Sequence, residues 1–375
     1  MSWHFSLKIR HYSPLYLHPK VWVLFWRNLS LFCGKPILAV LLPEFSSGSF
    51  LLVLHLRGVP RSRPVRAAQI NSFGPPNVVI LVDIPKPKME PGQVLVNVHC
   101  AGVAPWDALI RSNTSVTSPK LPLILGSDLS GVIDSVGSGV SSFKPGDEVF
   151  GVTNENFIGA YAEYALANPR MLARKPKTLN FAEAASAPVV AVTAYQMLFE
   201  YAHLKSGQTT LIHGAAGNVG AYAVQLARNA GIKVIATASA KDRDYLRSIG
   251  THTIVDYQAH RFEHALAPVD AVIDMVGGDT RERSMQVLKP SGLLVTVVSP
   301  NPEALIRRYP GRVIFFLAAV TTARLNTLAR LFDTGKIHPQ VGTVLPLEHV
   351  VHAHEMLAGA THNRGKIVLR CRDFT

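Results

Sequence analysis

The run Thr209–Gly231, TTLIHGAAGNVGAYAVQLARNAG, joins a short apolar stretch to an alanine-rich one through Gly214, Gly217 and Gly220. Glycines between a strand and a helix permit a tight turn. They also bring backbone N–H groups, with the positive end of the helix dipole, close to a pyrophosphate. Gly214, Ala215, Ala216, Gly217, Asn218, Val219 and Gly220 are therefore candidate phosphate-turn residues. The spacing is GxxGxxG rather than GxGxxG, and such a triplet also fits close helix–strand packing without a ligand. The βαβ setting, with a second apolar stretch at Lys233–Ala236, favours the dinucleotide.

A carboxylate after the second strand would bond the ribose hydroxyls of NAD and repel a 2′-phosphate. No acid stands at the end of that stretch. Ser239, Lys241 and Arg243 do, and these groups attract a phosphate. The expected cofactor is NADPH rather than NADH. Lys241 and Arg243 equally fit the solvated start of the next helix. Tyr257, after the third strand TIVDY, fits either a cover on the adenine side or plain packing.

Other chemistries find less support. His349, His352 and His354 lie in HVVHAHE, with His349 and His352 one helical turn apart, but no carboxylate or cysteine completes a ligand set. They are expected on a partly exposed helix face. There is no HExxH and no GxSxG. Cys33, Cys100 and Cys371 are too few and too scattered for a disulfide framework or a four-thiolate zinc lobe, and they suit a reducing compartment.

The elements that must carry the glycine turn follow from patterning. The chain has 375 residues, 48% apolar and 17% charged, enough for two cores. Its net charge of +13 is unevenly spread: residues 1–66 hold nine basic side chains against Glu44 alone, +8, leaving +5 for the rest. A modestly basic body suits an anionic cofactor, and a nucleic-acid role is disfavoured. The apolar runs of the leader are interrupted before the ~20 residues of a spanning helix. Residues 1–65 could be a dispensable or non-native extension, a targeting leader or, least favoured, a membrane anchor. The protein is expected in the cytoplasm, or in an organelle if the extension is a genuine presequence.

From Ala67 onward, short β-branched runs are bounded by Pro91-Gly92 and Pro145-Gly146, the texture of a compact β barrel. After Phe181, alanine-rich helical stretches alternate with short buried strands, which implies a parallel sheet covered on both faces. The expected fold is α/β: a GroES-like β-barrel catalytic domain over 66–186, a Rossmann doubly wound parallel-sheet domain over 187–338, and a return to the first over 339–375.

Eight motifs follow in order: AGVAPWDALIR, LGSDLSGVIDSVGSGVSSFKPGDEVFG, GAYAEYA, AASAPVVAVTAYQ, HGAAGNVGAYAVQLA, VIDMVGG, LKPSGLLV and NRGKIVL. With them the chain, over roughly 66–375, resembles the medium-chain dehydrogenase/reductase superfamily, in its zinc-free quinone oxidoreductase (zeta-crystallin-like) branch. Zinc-dependent members carry Gly-His-Glu where this chain has Gly126-Ser127-Asp128, and a cysteine near Ala104-Pro105. Serine and proline cannot replace imidazole and thiolate as ligands, so no metal is expected. Asp128 is expected to be structural.

The resemblance implies hydride transfer from NADPH to an acceptor that is already electrophilic, a quinone or an α,β-unsaturated carbonyl. It implies catalytic-site positions at Thr193, on the nicotinamide side, and at Trp106 and Asp107. Asp107 is also expected to cap a helix and to pair with Arg111. Val276, Gly277 and Leu317 would line the ribose end. Arg364 and Lys366 would lie near the charged portion of the cofactor. Trp106, Phe157 and Ile158 are candidates for the substrate wall. Some relatives keep Asn and Tyr where this chain has Ala104 and Leu109, so water is the candidate proton source. A homodimer is expected. A reductase of enoyl thioesters, and a low-turnover NADPH-binding protein with a nucleic-acid or protein partner, stay open as alternatives.

Overall fold

The computed structural model describes residues 37–43, 50–56, 63–115 and 119–372. Most of the basic leader lies outside the described residues. Within it, Ile37–Pro43 pairs antiparallel with Phe50–Leu56. The remainder, Val65–Thr375, is one compact unit.

Two sheets open this unit, the smaller antiparallel and the larger antiparallel except where Val341–Pro346 and Lys366–Arg370 pair in parallel. In the larger, the strands run Leu172–Arg174, Glu148–Val152, Asp128–Val136, Val94–Val103, Lys366–Arg370 and Val341–Pro346, with Tyr164–Ala167 also on Val94–Val103. The smaller joins Val79–Ile84, Val65–Ile70 and Leu123–Ile124. Val94–Val103 is nearly continuous in buried apolar residues, as its central position requires. The strand Lys366–Arg370, far along the chain, lies antiparallel on it and so returns to the sheet that Val94–Val103 began.

The second half forms a six-stranded sheet, wholly parallel, in the order Thr253–Asp256, Lys233–Ala238, Thr209–His213, Val269–Asp274, Leu288–Thr296 and Val313–Phe315. The order reverses on either side of Thr209–His213. A crevice at such a switch point, beyond the carboxyl ends of the strands, is the general ligand position in sheets of this kind.

Pro188–Tyr195 is buried almost throughout and packs on the helix Asn218–Asn229 behind the sheet. It continues as a π-helical stretch, Gln196–Tyr201, a form that is frequent at functional sites. After Val313–Phe315 the chain runs irregularly to Thr321, and side chains rather than a ladder hold it. Gln196 Oε1 accepts from the N–H of Ala319 at 3.0 Å, and Arg324 Nη1 donates to its carbonyl at 2.7 Å.

Candidate functional site

A cleft of about 1430 Å³ runs along the carboxyl ends of the parallel strands and is also lined by Trp106, Phe157 and Lys366 of the other lobe. Its centre is the glycine turn. Gly214 adopts φ +69°, a left-handed conformation that favours glycine. A Cβ on Gly220 would lie 2.2 Å from the Gly214 carbonyl oxygen and 2.6 Å from Ala215 Cα, so the helix can approach the turn only without a side chain there. The helix Asn218–Asn229 begins at Gly217 with no side-chain cap and no acid in its first turn. Its leading N–H groups therefore need an acceptor from outside the helix, and the donor set fits a pyrophosphate. All seven turn residues, Gly214 through Gly220, line the cleft.

His213, which the sequence reading missed, ends the strand before the turn. Its Nδ1 is 2.8 Å from Thr237 Oγ1 and its Nε2 is 2.8 Å from Ser284 Oγ. Burial pushes its pKa down to about 4, so the imidazole is neutral and ties two strand ends to the helix Gly278–Ser284. Asp274, also missed, is fully buried and accepts from the N–H groups of Val276 and Gly277, both at 2.9 Å. This bond shapes the next strand end. Gly277 itself is buried, with φ +74°, and does not line the cleft; its contribution is the turn that presents Val276.

Ser239 and Lys241 after the second strand and Tyr257 after the third line the cleft, as does Arg364 from the C-terminal segment. Arg243 does not. It starts the helix Arg243–Ser248, beyond the turn Ala240–Asp242 that carries Lys241. A further correction concerns the acid. Asp242 lines the same corner, because the single helical turn Ala240–Asp242 brings it back over the strand end. It accepts from Ser239 Oγ at 2.8 Å and pairs with Arg364, whose guanidinium also lies over the Tyr245 ring at 4.5 Å.

At the other end, Trp106 and Phe157 meet edge to face with centroids 6.4 Å apart, and both line the cleft. Phe157 holds φ +58°, an uncommon backbone state for a bulky residue and one that is recurrent at ligand sites. Ile158 does not line the cleft; its carbonyl is taken by Thr153 Oγ1 and Asn154 Nδ2. Thr193 is on the wall, nearly buried, its hydroxyl donating to Val189 O at 2.7 Å and so left as an acceptor.

Lys366 also reaches the cleft, but its ammonium is committed to Asp128 at 2.9 Å rather than left for a cofactor phosphate. Both side chains are essentially inaccessible, and the Trp106 ring lies 4.5 Å from the Lys366 Nζ. Asp128 accepts as well from the N–H of Val189. Burial raises its carboxyl pKa, against the Lys366 charge and hydrogen bond that lower it. The Trp106 indole N–H donates to Ser127 Oγ at 3.0 Å. Among the described residues no group of three or more His, Cys, Asp or Glu side chains could hold a metal ion.

Asp107 is wholly buried and does not line the cleft. It does cap its helix: Oδ2 accepts from the N–H of Ala104 at 2.8 Å. The same oxygen accepts from Tyr161 Oη at 2.8 Å, and among the described residues no ion pair joins Asp107 to Arg111. Tyr161 is therefore the partner that the sequence reading assigned to Arg111. Of the three histidines, His349 and His352 are exposed, with His352 on Glu355. His354 is fully buried and edge-on to Tyr161.

Comparison with known proteins bears on this geometry. The family model for an alcohol dehydrogenase GroES-like domain matches residues 90–177, and that for a zinc-binding dehydrogenase matches 249–369. The quinone oxidoreductase of Pongo abelii is 31% identical over 322 residues, which span 81% of this chain and 97% of that protein. The chain belongs to the quinone oxidoreductase branch of the medium-chain dehydrogenase/reductase superfamily. The solved quinone oxidoreductase of Coxiella burnetii superposes with a TM-score of 0.77 at 34% identity, over 83% of this chain and 100% of that one. A mycobacterial structure complexed with NADPH gives 0.71 at 28%, over 82% and 99%. The expected GroES-like plus Rossmann fold is thereby found, and the chain is an oxidoreductase. No helix among the described residues is long and apolar enough to cross a membrane.

Proposed function

We propose that this oxidoreductase uses NADPH to reduce quinones or α,β-unsaturated carbonyls without a metal ion. One observation carries the reading. Nine large apolar side chains are exposed among the described residues, and five of them, Leu109, Tyr257, Val276, Val298 and Leu317, line the one cleft that also holds the uncapped helix start. Apolar side chains gathered beside a phosphate turn call for a ligand with both an anionic and a flat apolar part.

In this reading the turn Gly214–Gly220 holds the pyrophosphate. Ser239, Lys241 and Arg364 face the 2′-phosphate, and Tyr257 covers the adenine side. Val276 and Leu317 hold the ribose end, while Thr193 offers its hydroxyl oxygen to the carboxamide side. A bound dihydronicotinamide would supply the hydride. Trp106 and Phe157 form the wall against which a planar acceptor lies. Asp107 is a positioning residue, fixing the start of the helix that carries Trp106. The cation at this end of the cleft is the Lys366 ammonium, balanced by Asp128, and Ser127 is engaged by the Trp106 indole; these partners support a metal-independent reaction. Conjugated acceptors suit such a site because they spread the developing negative charge themselves. A homodimer in a reducing compartment completes the proposal.

The test is NADPH and NADH consumption over quinones, enones, enoyl thioesters and aldehydes, with and without a chelator. Turnover of quinones or enones with NADPH, insensitive to chelation, is expected. Absence of dinucleotide uptake, or loss of activity on chelation, would refute the proposal.

A further inference from the structure

We infer that Asp242 is a built-in competitor for the 2′-phosphate of the cofactor and so sets the balance between NADPH and NADH. The inference rests on the cleft being the dinucleotide site. Two of the three groups that would recognise the phosphate already hold an anion of the protein's own. Ser239 Oγ donates to one Asp242 oxygen at 2.8 Å, and the Arg364 guanidinium engages the other. A carboxylate accepting from a hydroxyl and a guanidinium makes the same charge-assisted contacts that a phosphate makes. Asp242 therefore fills the role of the 2′-phosphate while the corner is empty of one.

The surroundings make this arrangement stable but yielding. The Asp242 side chain is 15% exposed and that of Arg364 35%, so the pair is partly solvated and can be exchanged at modest cost. Arg364 is held over the Tyr245 ring whether or not Asp242 keeps it, and Tyr245 is itself tied through its hydroxyl to Gln340. The guanidinium thus stays at the corner when its partner changes. A dinucleotide with a free 2′-hydroxyl leaves the ion pair intact and can donate to Asp242. One with a 2′-phosphate must take Ser239 and Arg364 from Asp242, and must sit beside the displaced carboxylate.

Calorimetric titration of the full chain with 2′,5′-ADP and with 5′-AMP isolates the corner from the hydride chemistry. Asp242→Asn removes the competing charge. It is expected to bind 2′,5′-ADP about tenfold more tightly than the parent chain does, the effect of removing one like charge at contact distance. Affinity for 5′-AMP should be unchanged or weaker. Asp242→Ala, read the same way, serves if the first variant fails to fold, and a melting curve of each establishes which is usable. Unchanged or weaker 2′,5′-ADP binding, or an equal gain for both nucleotides, would overturn the inference while leaving the cleft assignment standing. If the parent chain takes up neither NADPH nor NADH, the cleft assignment fails and the inference falls with it.

Discussion

Lys366→Met tests the electrostatic construction of the cleft most directly. It removes one partner of an ion pair whose side chains are 2% and 0% exposed and whose atoms are 2.9 Å apart. Asp128 would keep its bond from the Val189 N–H but lose its counter-charge. Leaving a buried carboxylate uncompensated costs about 3–5 kcal/mol. For a folded unit of this size each kcal/mol moves the melting temperature by roughly 1.5–2 °C, so a fall of about 5–10 °C is expected at neutral pH. The sign of the pH dependence follows from the same contacts. Burial raises the Asp128 carboxyl pKa, and Lys366 is the main influence lowering it. Without Lys366 the folded carboxyl titrates well above its unfolded value, so stability is present at low pH and lost as pH rises through the raised pKa. The deficit should be small near pH 5 and full near pH 8. Asp128→Asn in the same chain should restore most of it, since a neutral amide needs no counter-charge. Scanning calorimetry of the unliganded variants at both pH values decides the matter. A deficit equal at pH 5 and pH 8, or a double variant no better than the single, would refute the reasoning.

Three further outcomes follow from individual contacts. Gly220→Ala forces a Cβ to within 2.2 Å of the Gly214 carbonyl oxygen, and the displaced turn should weaken NADPH binding on the order of 100-fold in calorimetry; near-native affinity would contradict the phosphate-turn assignment. Gln196→Ala frees the Ala319 N–H that anchors the segment carrying Leu317, and should raise the KM for NADPH roughly three- to tenfold with kcat little changed; a fall in kcat alone would count against it. Burial pushes the Asp107 carboxyl up to about 7, against the Tyr161 and Ala104 bonds that lower it, so its contribution is full below the unfolded value of 3.8 and lost as pH rises through 7. Asp107→Asn should therefore flatten the decline of melting temperature between pH 5 and 8; parallel curves for parent and variant would exclude Asp107 as its source.

The legible parts of the site are those where backbone geometry admits few residues. Gly214 and Gly220 stand where a positive φ or a close approach excludes a side chain, and the glycine pattern carried that information locally. The alternation of helices and apolar strands likewise announced a parallel sheet, because strands buried on both faces need continuous apolar runs. Contacts made across the chain left no such mark. Tyr161 lies 54 positions from the carboxylate it bonds, and Gln196 lies 123 from Ala319. Asp242 was missed for a different reason. The rule looks for an acid at the end of the second strand, whereas here the chain first makes one turn, Ala240–Asp242, and returns the carboxylate to the same corner. His354 shared a short helix with exposed neighbours, and only packing against Tyr161 separates its buried face from theirs.

The two ends of the cleft are joined by one short piece of chain. Arg364 engages Asp242 at the corner beside Ser239, and Lys366, two residues on, engages Asp128 near Trp106. Each cation thus meets a carboxylate from a different part of the chain, one beside the wholly parallel sheet and one within the larger mixed sheet. The solvated Arg364 pair can exchange its partner at modest cost, whereas the buried Lys366 pair cannot. Lys366 begins the last strand and is paired there with Val341, so its position is fixed by that ladder, while Arg364 precedes the ladder and is held by side-chain contacts. The difference in burial therefore divides the work. In the proposed reading, Lys366 holds the geometry beside Trp106, and Arg364 can exchange Asp242 for the charge of an entering dinucleotide.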